Sequence, residues 1–143
     1  MQFIDVRDIV DWIIHAAEQN LTGTFNITGR PGKLTTASML ETIRNVTRSD
    51  ARFTWVDEKF IFENDVQPWN ELPLYLPESD EESKGFMFAN IENALDNGLK
   101  IRPLAGTVND TYEWRRDESV EMRAGISRVR EGELLKKWHE LHG

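Results

Sequence analysis

No cysteine occurs in this chain of 143 residues. That excludes disulfides, thiolate catalysis and cysteine-ligated zinc. Histidine is nearly as scarce, with His15, His139 and His142 the full set. His139 and His142 stand three residues apart without a third ligand at short range, so no metal site is expected. Lys and Arg total 17 against 25 Asp and Glu, for a net charge of −8. This balance offers neither a phosphate-backbone footprint nor attraction to anionic lipid, so neither nucleic acid nor membrane is an expected partner. No apolar run reaches the roughly 18 residues of a membrane span, and no signal-peptide pattern is seen. The expectation is a soluble, cytoplasmic, single domain.

Nucleotide cradles are missing too. Gly29-Arg30-Pro31-Gly32-Lys33 carries two glycines and a lysine, but fits neither G-x-G-x-x-G nor G-x-x-x-x-G-K-S/T. Its proline removes a backbone donor, and a plain turn accounts for it. Acidic neighbours such as Asp5 and Asp8, or Glu63 and Asp65, arise by chance among 25 acids. Without a partner to shift a pKa they are not read as catalytic.

The residues that are present alternate between two periodicities. Gln2 to Val6 reads as a strand running into an amphipathic helix, with Asp8 as N-cap or first-turn acid. Ile9, Val10, Ile13, Ala16 and Ala17, widened by Trp12 and Ile14, give that helix an apolar stripe suited to a sheet face. Thr24 to Thr28, Arg52 to Val56 and Gly85 to Ala89 read as further strands. A strand, a helix and a strand in the first 28 or so residues imply a βαβ unit. A further helix is expected after Thr35 or Thr36, or later from a capping box at Ser38 to Glu41, and others after Asp57, Asn90, Thr107 and Ser127, each a capping residue. The charged stretch Asp117 to Gly125 is expected to be irregular. A half-buried opening strand needs neighbours on both sides, and only one is evident. The expectation is that the polypeptide begins in the middle of a larger fold.

Val66 to Pro77 stands apart. Three prolines forbid a regular helix or central strand there. Yet Trp69, Leu72, Leu74, Tyr75 and Leu76 fall within it. Aromatic groups among polar ones on irregular backbone suit the wall of an organic-ligand pocket. They equally suit a local core.

Taken in order, Gln2-Phe3-Ile4-Asp5-Val6-Arg7-Asp8, Thr24-Phe25-Asn26-Ile27-Thr28-Gly29, Phe86 to Leu99, and Arg102-Pro103-Leu104 leading to Thr107 through Trp114 resemble the C-terminal half of the extended short-chain dehydrogenase/reductases, the NAD-dependent epimerase/dehydratase family. The likeness runs from Gln2 to His139 and is nearest to reductase-like members. It implies an α/β fold: a partial Rossmann-type βαβ edge plus a small α+β substrate-binding lobe. One C-terminal substrate-binding domain would span 1–143, with the sheet edge at 1–33, the lobe at 34–116 and a C-terminal helix at 117–143. The family's glycine-rich turn and Tyr-x-x-x-Lys pair are absent, since Tyr75 is followed four residues on by Ser79 and Tyr112 by Arg116. The resemblance therefore implies no catalytic residue and no cofactor bound by this chain. NAD or NADP would belong to the complete family enzyme, where this part shapes the pocket for a small-molecule substrate. Trp69, Leu72, Pro73 and Tyr75 are expected to border that substrate. Arg102 is a further candidate, or a bracket between chain segments. The arginine that sugar-nucleotide epimerases place before the opening strand has no counterpart here. The alternative is a non-catalytic small-molecule-binding or interaction module, paired as a homodimer through an exposed sheet edge.

Overall fold

The computed structural model describes residues 1–117 and 124–143. Its regular structure is helical. It consists of α1 (Val6–Glu18), α2 (Thr36–Thr47), α3 (Glu58–Glu63), α4 (Glu92–Asp96), α5 (Leu104–Asp117) and α6 (Arg128–His142), with a 3₁₀ turn at Glu81–Ser83. No sheet forms among the described residues, where an isolated bridge joins Pro68 to Leu72. This overturns the expected α/β architecture, both the Rossmann-type βαβ edge and the α+β lobe. Among the described residues the sheet edge expected to carry a homodimer does not form either. Residues 118–123 of the stretch expected to be irregular lie outside the described residues. The chain divides into two compact units, Met1–Asp50 with Gly85–Ser119 and Ala51–Lys84 with Val120–Gly143.

In the first unit, side-chain amides make bonds that a strand ladder would otherwise make. The Gln2 carboxamide donates to the carbonyls of Gly29 and Ala89, both at 2.8 Å, and accepts from the Ala89 N–H at 2.9 Å. Asn26 donates to the Asn90 carbonyl at 2.8 Å, and Asn93 to that of Thr24 at 3.0 Å. The expected strands at 2–6 and 85–89 are thus joined through the Gln2 side chain, and side-chain bonds tie 24–28 to Asn90 and Asn93 just beyond the latter. Arg52 to Val56, in the second unit, also forms no strand.

Asp5, not Asp8, caps α1, its carboxylate accepting from the Arg7 N–H. Asp8 takes the first-turn position, where a carboxylate suits the helix dipole. The expected apolar stripe is buried only in part, at Trp12 and, less completely, at Ala16. Val6, Val10, Ile13 and Ile14 are 68, 49, 58 and 52% exposed. Besides Trp12, the helix buries Asp8. Trp12 joins Ile91, Ala94 and Leu99 in the core, with Phe25 tilted against its ring at 4.9 Å. The stripe was matched to a broad sheet face, and the compact core takes the single large indole instead.

The remaining caps follow the local chemistry. Thr35 and Ser38 form a capping box ahead of α2, and α2 packs against α5. Asn90, the expected cap of α4, stands one residue ahead of the N-cap Ile91, and its side chain accepts from the Glu92 N–H at 2.8 Å. Gly98 ends α4 with φ +100°, and a β-carbon there would lie 2.6 Å from Nε2 of His15. That nitrogen sits 3.0 Å from the Asn97 carbonyl. Helix α5 starts at Leu104, directly after Pro103, earlier than the expected start at Thr107.

In the second unit, Asp57 caps α3 through the Phe60 N–H at 2.7 Å, and α3 buries Phe60 and Ile61. Ser127 caps α6. Trp138 of α6 meets Phe60 edge-on at 5.0 Å. Arg130 donates to the carbonyls of Asn64 and Asp65 at 3.1 and 3.0 Å, just past the end of α3, and pairs with Glu71 at 2.9 Å. It thereby satisfies acceptors that a helix terminus leaves open.

Three substitutions test this packing by urea unfolding. Ile91→Ala, at 1% exposure, is expected to cost about 3 kcal/mol. Gly29→Ala drives a β-carbon to 2.3 Å from the Phe3 carbonyl oxygen, with an expected loss of about 2 kcal/mol. Gly106→Ala, inside α5 with open space around it, is expected to stabilise by up to about 1 kcal/mol. A destabilising Gly106→Ala, or a neutral Gly29→Ala, contradicts this fold.

Candidate functional site

The first unit holds a pocket of about 240 Å³ at the head of α1. Its floor is a charged network. Asp5 is 7% exposed and Asp8 4%. Two buried carboxylates this close require compensation. Arg7 donates to Asp5 from Nε at 2.9 Å and from a terminal nitrogen at 2.6 Å, and Thr107 from its hydroxyl at 2.7 Å. Arg102 donates to Asp8 through its backbone N–H at 3.0 Å and through Nε, and to Asp11 at 3.1 Å. Arg7 reaches on to Asp110. These bonds tie the start of α1 to the start of α5.

The electrostatics follow from the contacts. The Arg7 guanidinium holds the Asp5 carboxyl well below the usual carboxylate range. The Thr107 hydroxyl and the Arg7 N–H add to this, against the opposing effect of burial. Arg7 lowers Asp110 as well. Asp5 and then Asp110 raise Arg7 in turn. Apolar walls come from Phe3, Ile4, Leu34, Ile101 and Leu104, and Arg30 and Lys33 line the pocket too. Among the described residues neither of those cations pairs with a carboxylate.

The residues expected to contact substrate fall in different units. Arg102 lines the first-unit pocket with its guanidinium engaged by Asp8 and Asp11. Trp69, Leu72, Pro73 and Tyr75 belong to the second unit. Leu72 lines a separate apolar pocket of about 120 Å³ with Val56, Phe60, Val66 and Leu134. Tyr75 donates to Glu58 at 3.2 Å. Trp69 is 48% exposed, and Pro73 is exposed. Trp69 and Leu74 both hold φ of +64°, a left-handed conformation costing roughly 1–2 kcal/mol for such residues. Local bonds keep the turn in place. The N–H groups of Glu71 and Leu72 donate to the Gln67 carbonyl at 2.9 and 3.3 Å, and that of Trp69 to Leu72 at 3.1 Å.

Glu58 organises the next turn. It accepts from the Glu78 N–H at 2.7 Å as well as from Tyr75. The Ser79 hydroxyl, then the Glu78 N–H and the Tyr75 hydroxyl, lower its carboxyl pKa against the effect of burial. Burial, and then the charge of Glu58, push the Tyr75 phenol up to about 12.

Gln2, Asp5, Asp8, Thr107, Arg30 and Lys33 were not among the expected site residues. Asp5 and Asp8 carry a signal in their spacing, i and i+3 across a helix start. A basic partner near one helix and another far along the chain completes it. Among the described residues no three acidic or histidine side chains group to hold a metal ion. No family model, curated protein or solved structure matches the chain.

Two pH measurements follow. The unfolded Asp5 carboxyl titrates near 3.9, and the folded one lower. The stability it contributes is therefore present above about pH 4 and is lost as pH falls further. Asp5→Asn is expected to lower stability by about 2 kcal/mol at neutral pH, with the gap to wild type closing toward pH 2. A gap constant with pH contradicts the network. Tyr75 has the opposite sign. Its raised pKa means stability falls as pH rises from about 10 to about 12. Unfolding of Tyr75→Phe is expected to lack that alkaline loss, and an identical alkaline profile contradicts the assignment.

Proposed function

We propose that this chain is the substrate-binding portion of a NAD(P)-dependent epimerase or reductase of the extended short-chain dehydrogenase/reductase type. It shapes a pocket for a small molecule and does not itself carry the hydride or proton chemistry. One observation carries the reading. The four segments that bear the resemblance, Gln2–Asp8, Thr24–Gly29, Phe86–Leu99 and Arg102–Trp114, all belong to one compact unit. They are joined residue to residue, through Gln2 to Gly29 and Ala89, and through Asp5 and Asp8 to Thr107 and Arg102. The pattern along the chain thus coincides with a set of mutual contacts. The nicotinamide and a Tyr-x-x-x-Lys pair would reside in the other part of the complete enzyme, exchanging hydride and proton there.

A second reading is favoured by the exposed stripe Val6, Val10, Ile13 and Ile14. Four large apolar groups on one helix face are an interaction surface for a partner protein, a second copy included. This reading requires no pocket chemistry.

Calorimetric titration with NADH tests the first reading. The chain alone is expected to give no saturable heat at micromolar concentrations, and the coding DNA ahead of Met1 is expected to encode a glycine-rich turn and Tyr-x-x-x-Lys in frame. Low-micromolar NADH binding by the chain sinks the proposal, as does an upstream frame without those motifs. Strictly monomeric sedimentation at high concentration counts against self-association through α1.

A further inference from the structure

We infer that the first-unit pocket takes a small organic anion, a phosphate or carboxylate on a compact body, held by Arg30 and Lys33. The inference names a substrate class for the reading above and rests on it to that extent. The anion chemistry is argued from the pocket itself.

The charge distribution comes first. The chain carries a net charge of −8, yet no acidic residue occurs between Glu18 and Glu41. Arg30 and Lys33 lie in the middle of that interval and both line the pocket. Among the described residues both lack a carboxylate partner, whereas Arg102, the other cationic side chain that lines the pocket, has one. The carboxylates of the pocket floor do not supply the missing charge. Asp5 is bonded by Arg7 and Thr107, and Asp8 by Arg102. An anion entering the pocket therefore meets two cations that have no carboxylate partner among the described residues, beside carboxylates already hydrogen-bonded by Arg7, Thr107 and Arg102. Arg30 offers a planar fork for two oxygens and Lys33 a mobile point charge.

The space limits the rest of the ligand. About 240 Å³ lies below the roughly 300 Å³ at which pockets for drug-sized ligands begin. A dinucleotide does not fit, and a metabolite of a few carbons does. Phe3, Leu34 and Leu104 give its body an apolar wall. The loop that carries both cations is held in place at Gly29, whose carbonyl accepts from Gln2 at 2.8 Å and whose α-carbon packs on the Phe3 backbone. The cations thus stand on an anchored turn.

The test uses the whole chain, labelled with nitrogen-15, titrated with glycerol 3-phosphate, lactate and uncharged glycerol. At least one of the two anions is expected to shift the amides of Gly29 to Leu34 and of Thr107 saturably, while glycerol does not. Whichever anion binds tighter tells phosphate from carboxylate recognition. The double variant Arg30→Ala, Lys33→Ala is expected to weaken that binding by about tenfold or more. Lys136→Ala, in the second unit, is expected to leave it unchanged. Both cations are exposed, so an unchanged thermal melt of the double variant certifies its fold. Glycerol binding as well as its phosphate, no saturable shift with either anion at millimolar concentrations, or wild-type affinity in the double variant overturns the inference. NADH binding by the unmodified chain, with anion selectivity intact, overturns only the broader reading of the preceding section.

Discussion

Two buried carboxylates set the terms for the first unit. Asp5 and Asp8 lie three residues apart at the head of α1, and neither reaches solvent to any useful extent. A carboxylate in that position is tolerable only with cationic and hydrogen-bonding partners in place. Arg7 supplies one set locally. The other partners, Thr107 and Arg102, lie more than ninety residues away along the chain. The first turn of α5 presents the hydroxyl, and the segment before it the guanidinium. Removing either partner leaves a buried charge exposed to the low dielectric, which costs far more than a surface ion pair contributes.

The same logic explains which elements were legible from sequence. Caps are local events. Asp57, Thr35 and Ser127 act within three residues of themselves, and α3, α2 and α6 start where those side chains dictate. Strands are not local. The alternation at Gln2–Val6 and Thr24–Thr28 exists in the sequence, but a strand is defined by its neighbour. Here the neighbour's role falls to the amides of Gln2, Asn26 and Asn93. Nothing in a period-two pattern distinguishes a peptide partner from a carboxamide. The α1 stripe shows a related limit. Hydrophobic periodicity ranks Val10 and Ile13 with the core, while one indole and one carboxylate decide which side faces inward.

The candidate site was legible in part. Arg102 was read both as a substrate contact and as a bracket, and its guanidinium engages Asp8 and Asp11. Arg30 and Lys33 were assigned to a plain turn because their spacing fits no phosphate motif. What singles them out is their place in the lining of the first-unit pocket without a carboxylate partner among the described residues, a conjunction that only three dimensions reveal. In the second unit, Trp69 and Leu74 occupy left-handed backbone on a turn braced by Gln67 and Glu71. The prolines on either side signalled irregular backbone there, not its handedness.

The two units interleave along the chain, and this has a consequence for how the protein is made. Residues 1–50 belong to a unit completed only by 85–119, and 51–84 to one completed only by 120–143. During synthesis at roughly 5–20 residues per second, the first helix leaves the ribosome seconds before Arg102 and Thr107, which bind its carboxylates, and before Ile91, Ala94 and Leu99, which join Trp12 in the core. In that interval Asp5 and Asp8 are hydrated and the indole is open to solvent. The nascent chain thus passes through a stage in which both faces of α1 are available to chaperones, and tertiary closure of the first unit waits for a segment translated after residues 51–84 of the second.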